Sequence, residues 1–133
     1  MNRATLKVRV QAAIRQLIAE KGYVSALDVM LHLDKIRLGD VEKWRLGKIP
    51  YLELVVQMNL SQINALFKEM QIIACATGLK SSMTVYRTWG RRARRPLQFS
   101  KSGHPYSERR WSTHFVRSSR GNMRSDCETN SID

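Results

Sequence analysis

The sequence predicts a mainly α-helical protein in which a compact helical domain is followed by a basic β-hairpin-like or extended segment and a disordered tail. Apolar residues recur at helical spacing in the first part of the chain and lose that spacing near Gly78. Basic and aromatic residues then dominate, and the last residues offer few apolar side chains to bury. We therefore divide the chain into a helical domain at residues 1–78, a basic aromatic-rich segment packed on it at residues 79–116, and a disordered tail at residues 117–133.

The first two predicted helices are marked by apolar spacing and by their ends. One apolar stripe at four-residue spacing is formed by Leu6, Val10, Ile14 and Ile18. Gly22 is placed to end this helix, because glycine readily adopts the left-handed conformation of a helix C-terminus. Ser25, followed three residues later by Asp28, matches the N-cap of a short second helix.

Three further helices complete the predicted domain. We expect a third over residues 41–46, a fourth over residues 51–58 and a fifth over residues 62–76. Asp40 and Ser61 can cap the third and the fifth, and Pro50 suits the first position of the fourth. Five helices joined by short turns are typical of a compact helical domain.

The pattern changes from Ser81 onward. Alternating β-branched and aromatic residues at 84–89, 97–99 and 113–116 predict short strands or an extended arm. Residues 102–105 (SGHP) carry a turn signal.

Charge divides the chain at the same place. The net charge is +12, from 23 Lys and Arg against 11 Asp and Glu, and residues 80–120 hold 11 basic residues and one acidic residue, Glu108. This imbalance predicts an anionic partner such as nucleic acid, an anionic membrane or an acidic protein. Because no apolar run is long enough to span a bilayer and the first residues lack the apolar core of a signal peptide, we expect a cytoplasmic protein without a membrane partner.

Residues 89–96 (WGRRARRP) carry the strongest functional signal. Four arginines in five residues repel one another, whereas opposite phosphates they form bidentate, charge-assisted bonds and release counterions. The aromatic residues interleaved around them can stack on the bases of a single-stranded or looped nucleic acid. We therefore predict non-catalytic binding of DNA or RNA. The predicted phosphate contacts are Lys80, Arg87, Arg91, Arg92, Arg94, Arg95, Lys101, Arg109 and Arg110, and the candidate stacking residues are Trp89 and Trp111.

Two other functions stay open. A protein-interaction module would bind an acidic partner through the basic segment and would expose an apolar patch on the helical domain, framed by Leu52, Val55 and Met58. A small nuclease-like enzyme would use Lys101, His104 and His114, but no acidic pair accompanies them to hold a metal ion.

Weaker signals add little to these functions. Residues 24–46 allow a helix-turn-helix interpretation, although the second helix has a short exposed face. We predict no catalytic residue, cofactor or metal site, because Cys75 and Cys127 lie far from the histidines and lack metal-ligand spacing. Neither cysteine is expected to form an intramolecular disulfide, since Cys75 lies in an apolar run. Oligomeric state is left open.

Four short segments form a family-like signature: residues 44–52 (WRLGKIPYL), 89–90 (WG), 99–105 (FSKSGHP) and 112–116 (STHFV). They resemble a group of small basic bacterial proteins without an assigned function, over about residues 20–116. In that group an acidic residue usually takes the place of His104, and the stretch matching 91–95 contains lysine. The resemblance implies no catalytic or binding residue.

Overall fold

The computed structural model describes residues 3–90 and 95–117, and it confirms a mainly α-helical protein. The described residues contain five α-helices, which are α1 (Arg3–Lys21), α2 (Ala26–His32), α3 (Leu38–Arg45), α4 (Leu60–Thr77) and α5 (Pro105–Ser112). They also contain three short strands, which are β1 (Tyr23–Val24), β2 (Lys80–Met83) and β3 (Thr113–Val116). The predicted tail lies, from residue 118 onward, outside the described residues.

Several helix ends are those that the sequence predicts. Gly22 follows α1 with a φ of 80°, and Gly78 follows α4 with a φ of 71°. The Ser25 hydroxyl accepts the backbone N–H of Asp28 and so caps α2. The cap of α4 is Asn59 rather than Ser61, because Asn59 and Gln62 exchange side-chain to backbone hydrogen bonds in a capping box.

The predicted fourth helix over residues 51–58 is wrong. Only a 3-10 turn forms there, at Leu52–Val55. The backbone N–H groups of Leu52 and Glu53 donate to the carbonyl oxygens of Gln98 and Phe99, at 3.2 and 2.8 Å. Contacts with a segment far along the chain therefore take the place of a longer helix.

The strands lie only partly where the sequence predicts them. β3 is confirmed at residues 113–116, but residues 97–99 form no strand, and residues 84–89 contribute only an isolated antiparallel bridge from Arg87 to Pro96. The sequence pattern did not indicate β2 or α5. Helix α5 follows the predicted turn and carries Pro105 at its first position.

The three strands form an antiparallel sheet in the order β1-β3-β2. The last strand in the chain is therefore the central one. Val116 pairs with Tyr23 on one side and with Lys80 on the other.

One cluster of buried apolar side chains joins the helices to the second part of the chain. It includes the inward face of α4, with Leu66 fully buried, together with Phe99, Trp111 and Phe115. Trp44 and Trp111 are its largest fully buried side chains. The basic aromatic-rich segment thus contributes ring systems to the same core as the helices.

The expectation for Cys75 is wrong, because this half-buried residue on α4 is disulfide-bonded. Cys127, the second cysteine of the chain, lies outside the described residues. Within residues 3–90 and 95–117, no three His, Cys, Asp or Glu side chains gather as metal ligands would. No helix of that part of the chain has both the length and the apolar character needed to cross a bilayer.

Candidate nucleic-acid interface

Residues 86–90 and 95–97, on either side of the arginine-rich stretch, are joined by antiparallel backbone hydrogen bonds, and we call residues 86–97 the arginine turn. The N–H of Leu97 donates to the carbonyl of Tyr86 at 2.8 Å, and the N–H of Thr88 donates to the carbonyl of Arg95 at 3.0 Å. The Thr88 hydroxyl also accepts the backbone N–H of Arg95. Arg91, Arg92 and Arg94, which connect the two sides of the turn, lie outside the described residues.

The arginine turn is attached to the C-terminal end of α3. The backbone N–H of Trp89 donates to the carbonyl oxygen of Arg45 at 2.7 Å. The Arg45 guanidinium lies 5.1 Å from the Trp89 ring centroid and 5.4 Å from that of Tyr86, within the range of a cation–π interaction. Arg45 therefore positions the exposed tryptophan, although no local pattern in the sequence links residues 45 and 89.

Trp89 remains accessible in this arrangement. Its side chain is 49% exposed, and Arg87 and Arg95 beside it are exposed as well. An aromatic ring placed among guanidinium groups can stack on a base while the cations neutralise the flanking phosphates.

The carboxylates of this half of the molecule face inward. Residues 43–117 contain only three acidic residues, Glu53, Glu69 and Glu108. Each accepts hydrogen bonds from within the protein: Glu53 from the Trp111 indole, Glu69 from Gln11, and Glu108 from the backbone of Phe99 and Ser100. They are not available to neutralise the surface.

The exposed cations are consequently left without acidic partners in the described structure. Among the described residues, an ion pair joins Lys21 to Asp28 at 3.5 Å. Both residues are far along the chain from the arginine turn. Lys80, Arg87, Arg95, Lys101 and Arg109 are exposed and form no ion pair with a described carboxylate. No acidic side chain of residues 3–90 and 95–117 therefore compensates the positive potential of this surface through an ion pair.

The loop at residues 99–105, which we call the serine loop, does not resemble a phosphate cradle. Such a cradle presents free backbone N–H groups. Here the Glu108 carboxylate accepts the N–H groups of Phe99 and Ser100 at 2.9 and 2.7 Å. Glu53 accepts the N–H of Lys101, and the Ser100 hydroxyl accepts that of Gly103. Lys101 can contact a phosphate only through its exposed ammonium group.

The residues considered for a nuclease serve other purposes, and no hydrogen bond links any two of Lys101, His104 and His114. The Nδ1 atom of His104 accepts the backbone N–H of Tyr106 at 3.2 Å, so His104 is the N-cap of α5. An acidic residue would serve equally well at this position, because carboxylates are good N-caps.

His114 lies between the sheet and the arginine turn. Its Nε2 is 2.8 Å from the Tyr86 hydroxyl, and its ring stacks on Tyr23 at 5.8 Å between centroids. Burial lowers the pKa of His114 below its ordinary value, and Asp28 opposes that shift. Burial also raises the pKa of the Tyr86 hydroxyl. These groups link packed elements rather than line an open cleft.

One predicted contact requires correction, and a second, Arg110, stays a prediction but is partly engaged within the protein. Trp111 is 1% exposed, stacks on Phe99 with centroids 5.3 Å apart, and donates its indole N–H to Glu53, so it is a core residue and not a base-stacking one. Arg110 is half-buried, because its guanidinium lies over Phe67 and donates to Asn64. Both face α4 rather than the arginine turn.

The three residues named for the exposed apolar patch of a protein-interaction module are themselves turned toward the core, although Leu54 beside them is 57% exposed. Leu52 is fully buried, and Val55 and Met58 are half-buried against the core. The helix-turn-helix interpretation also gains little, since α3 buries Val41 and Trp44. No protein-family model, curated protein or solved structure matches the chain.

Proposed function

We propose that the protein binds nucleic acid without catalysing a reaction on it, and that the arginine turn is the principal contact. The observation that carries this proposal is the opposite placement of the two kinds of charge. The three acidic side chains of residues 43–117 are engaged inside the fold, while Arg87, Arg95 and Lys101 are exposed. Such a surface attracts polyanions in proportion to the phosphates it neutralises.

The proposed contact has an electrostatic part and a stacking part. Arg87, Arg95 and the three arginines between them would bind backbone phosphates, with Lys80, Lys101 and Arg109 extending the contact. Trp89 would stack on a base, with its ring supported by the Arg45 guanidinium 5.1 Å from its centroid.

The shape of the surface favours single-stranded or looped nucleic acid over base reading in a duplex groove. A turn that presents one exposed aromatic ring can reach an unstacked base. Groove reading normally requires a helix with an exposed basic face. Helix α5 does not offer one, because it spans only eight residues and its Arg110 is engaged with Asn64.

The test is a salt-titrated binding measurement on duplex DNA, single-stranded DNA and structured RNA. With about five to eight phosphate contacts, log K against log salt should have a slope of about −4 to −7 on duplex, and a shallower slope on single strands. Changing Arg91, Arg92, Arg94 and Arg95 together to Ala should flatten the duplex slope by about three to four units.

A matched control removes four cations elsewhere. Lys7, Arg9, Arg15 and Arg37 are exposed or lie on exposed faces of α1 and the start of α3. Changing these four to Ala produces the same net charge, so the slope should change by less than about one unit if the arginine turn is the contact. Equal effects of the two variants would indicate diffuse attraction, and salt-insensitive binding or no binding at low salt would overturn the proposal.

A further inference from the structure

Tyr106 on α5 has the same kind of surroundings as Trp89 in the arginine turn. All three Phe, four Tyr and three Trp residues of the chain lie in the part that the structure describes, and only Trp89 and Tyr106 are exposed, at 49% and 47%. The Arg110 guanidinium lies 5.3 Å from the Tyr106 ring centroid and 4.6 Å from that of buried Phe67. Arg45 contacts Trp89 and a half-buried ring in the same way. Each exposed ring is therefore supported by an arginine that also covers a more buried ring.

Tyr106 lines a groove between α4, β2 and α5, which we call the Tyr106 groove. Its volume is about 1040 Å³, and its floor includes the buried side chains of Phe67 and Met70. Ile72 and Met83 also line it and are 45% and 58% exposed. A groove of this size is at the upper end of the range of about 300–1000 Å³ that is typical of ligand sites. It offers apolar surface on which a flat ring can lie.

The charged residues that line the Tyr106 groove are all cations. They are Lys68 on α4 and Arg109 and Arg110 on α5, and no acidic residue of the described chain lines the groove. Lys68 and Arg109 are exposed, and neither forms an ion pair with a described carboxylate. The charge of the groove is therefore complementary to that of an anionic ligand.

A single nucleic-acid strand matches both the rings and the charge of the Tyr106 groove. Its bases stack on exposed aromatic faces, and its phosphates bind the cations beside them. Gln71 and Ser82 line the groove as well, and their side chains can form hydrogen bonds with the edge of a base. An acidic peptide would satisfy the cations but has no base to stack on Tyr106. The observations therefore favour a nucleic-acid strand.

A continuous series of contacts through the core limits the distance between the two exposed rings. Each ring or guanidinium group in the series lies 4.6 to 5.4 Å from the next, in the order Trp89, Arg45, Tyr86, Phe99, Trp111, Phe67, Arg110 and Tyr106. Seven such steps of at most 5.4 Å place the two exposed rings no more than about 38 Å apart. A strand with a rise of about 3.4 Å per nucleotide covers that distance in about 11 nucleotides. One short strand can therefore reach both rings.

We propose that the Tyr106 groove is a second contact for the single strand that the arginine turn binds. Tyr106 stacks on a base, Lys68 and Arg109 bind the phosphates on either side of it, and Arg110 supports the ring from within the protein. This inference rests on the proposed function and adds a second stacking residue to it.

The test measures the binding of the full chain to an oligothymidylate of about 20 nucleotides by fluorescence anisotropy. Tyr106→Leu keeps an apolar side chain and removes the aromatic face, so it should weaken binding by about 5- to 150-fold. Tyr106→Phe keeps the aromatic face and should restore binding to within about twofold of the parent protein. Urea unfolding shows whether each variant is folded.

The cations are tested without changing the ring. Changing Lys68 and Arg109 together to Ala should flatten the slope of log K against log salt by about 1.4, because each phosphate contact on a single strand contributes about 0.7. Arg9 and Arg15 are exposed on α1 and lie outside the groove. Changing these two to Ala removes the same charge and should alter the slope by less than about 0.5.

Failure of this inference and failure of the proposed function give different results. Binding that is weakened by Trp89→Ala but unchanged in Tyr106→Leu and in the Lys68 and Arg109 variant would leave the arginine turn as the contact and overturn the second one. Absence of strand binding by the parent protein would overturn both. Labelled polyglutamate that binds the parent protein but not Tyr106→Leu, with strand binding equal in the two, would overturn the inference and assign the groove to an acidic protein.

Discussion

The arginine turn and the serine loop are alike in sequence and opposite in structure. Both stretches contain cations and aromatic residues, namely Arg87, Trp89 and Arg95 in the arginine turn and Phe99 and Lys101 in the serine loop. In the serine loop and the adjoining α5, Phe99 and Trp111 enter the core, and Glu53 and Glu108 accept the loop's N–H groups. The arginine turn has no carboxylate to organise it, and Trp89 stays half exposed beside Arg45. The position of the few acidic residues, rather than the abundance of basic ones, decides which stretch becomes scaffold and which stays available as surface.

Substitutions of the two tryptophans, Trp111 and Trp89, should differ most in their effect on the free energy of unfolding. Trp111→Ala should lower the free energy of unfolding by about 3–5 kcal/mol, because it empties a core position between Phe67 and Phe99. Trp89→Ala should cost about 1 kcal/mol or less, the size of an exposed cation–π contact. Urea unfolding of both variants measures this. Trp89→Ala should also weaken single-strand binding by about 1–3 kcal/mol with an unchanged salt slope. Similar losses of stability from the two substitutions would remove the contrast.

Substitution of Glu108 should have the next largest effect on the free energy of unfolding. In the parent protein the Glu108 carboxylate accepts hydrogen bonds from the N–H groups of Phe99 and Ser100 and from the Ser100 hydroxyl. Glu108→Gln places an amide donor near these three donors. We expect a loss of about 1–3 kcal/mol, the cost of leaving a buried donor unsatisfied. Thermal or urea unfolding measures it. Glu42→Gln on the exposed face of α3 is the matched control and should stay within about 0.5 kcal/mol of the parent protein.

His114 joins the sheet to the arginine turn through Tyr86 and should make the packing of the turn depend on pH. Burial holds the folded-state pKa of His114 below its ordinary value, so the unfolded chain binds the proton first as the pH falls. The contribution to stability is therefore complete above about pH 6.5, the unfolded pKa, and is lost as the pH falls through the folded pKa. Urea midpoints between pH 7.5 and 5.5 should decline for the parent protein and for His32→Gln, and decline less for His114→Gln. Equal declines in all three would show that His114 is not the group responsible.

The smallest expected effect concerns the start of α5. The His104 ring already accepts the N–H of Tyr106, so His104→Asp should preserve or raise stability by about 0.5 kcal/mol, since Asp is a good N-cap near the positive end of a helix dipole. His104→Ala should cost about 0.5–2 kcal/mol by the same argument. Unfolding measurements distinguish these outcomes, and a destabilising aspartate would contradict the capping role.

Features of the fold that depend on neighbours in sequence could be predicted. The cap at Ser25, the left-handed glycines after α1 and α4 and the inward face of α4 follow from local spacing and local hydrogen bonds. The helix expected after Pro50 fails because the N–H groups of Leu52 and Glu53 bond to residues 98 and 99. These competing carbonyl groups are too distant along the chain for a local sequence pattern to indicate them.

The candidate site was harder to predict for the same reason. Spacing identified the arginine cluster, but not that Trp111 would be stacked on Phe99 and Trp89 held by Arg45. Helix α5 buries only Trp111 and so shows no apolar period. Two features of the sequence indicate α5: Pro105 at its first position, and the basic residues Arg109 and Arg110 in its last turn. The turn signal at residues 102–105 obscured both.

The central position of β3 has a consequence for how the chain can be made. Strands β1 and β2 do not pair with each other, so neither can join the sheet until Thr113–Val116 exists. At about 5–20 residues per second, the 93 positions from Tyr23 to Val116 delay that event by roughly 5–20 s during synthesis. Helices α2 to α5 are made one after another over that interval while the core stays unfinished, and Leu79 and the face of α4 await Trp111 and Phe115. This is the period in which a chaperone, or a premature encounter with another chain, would find the molecule most vulnerable.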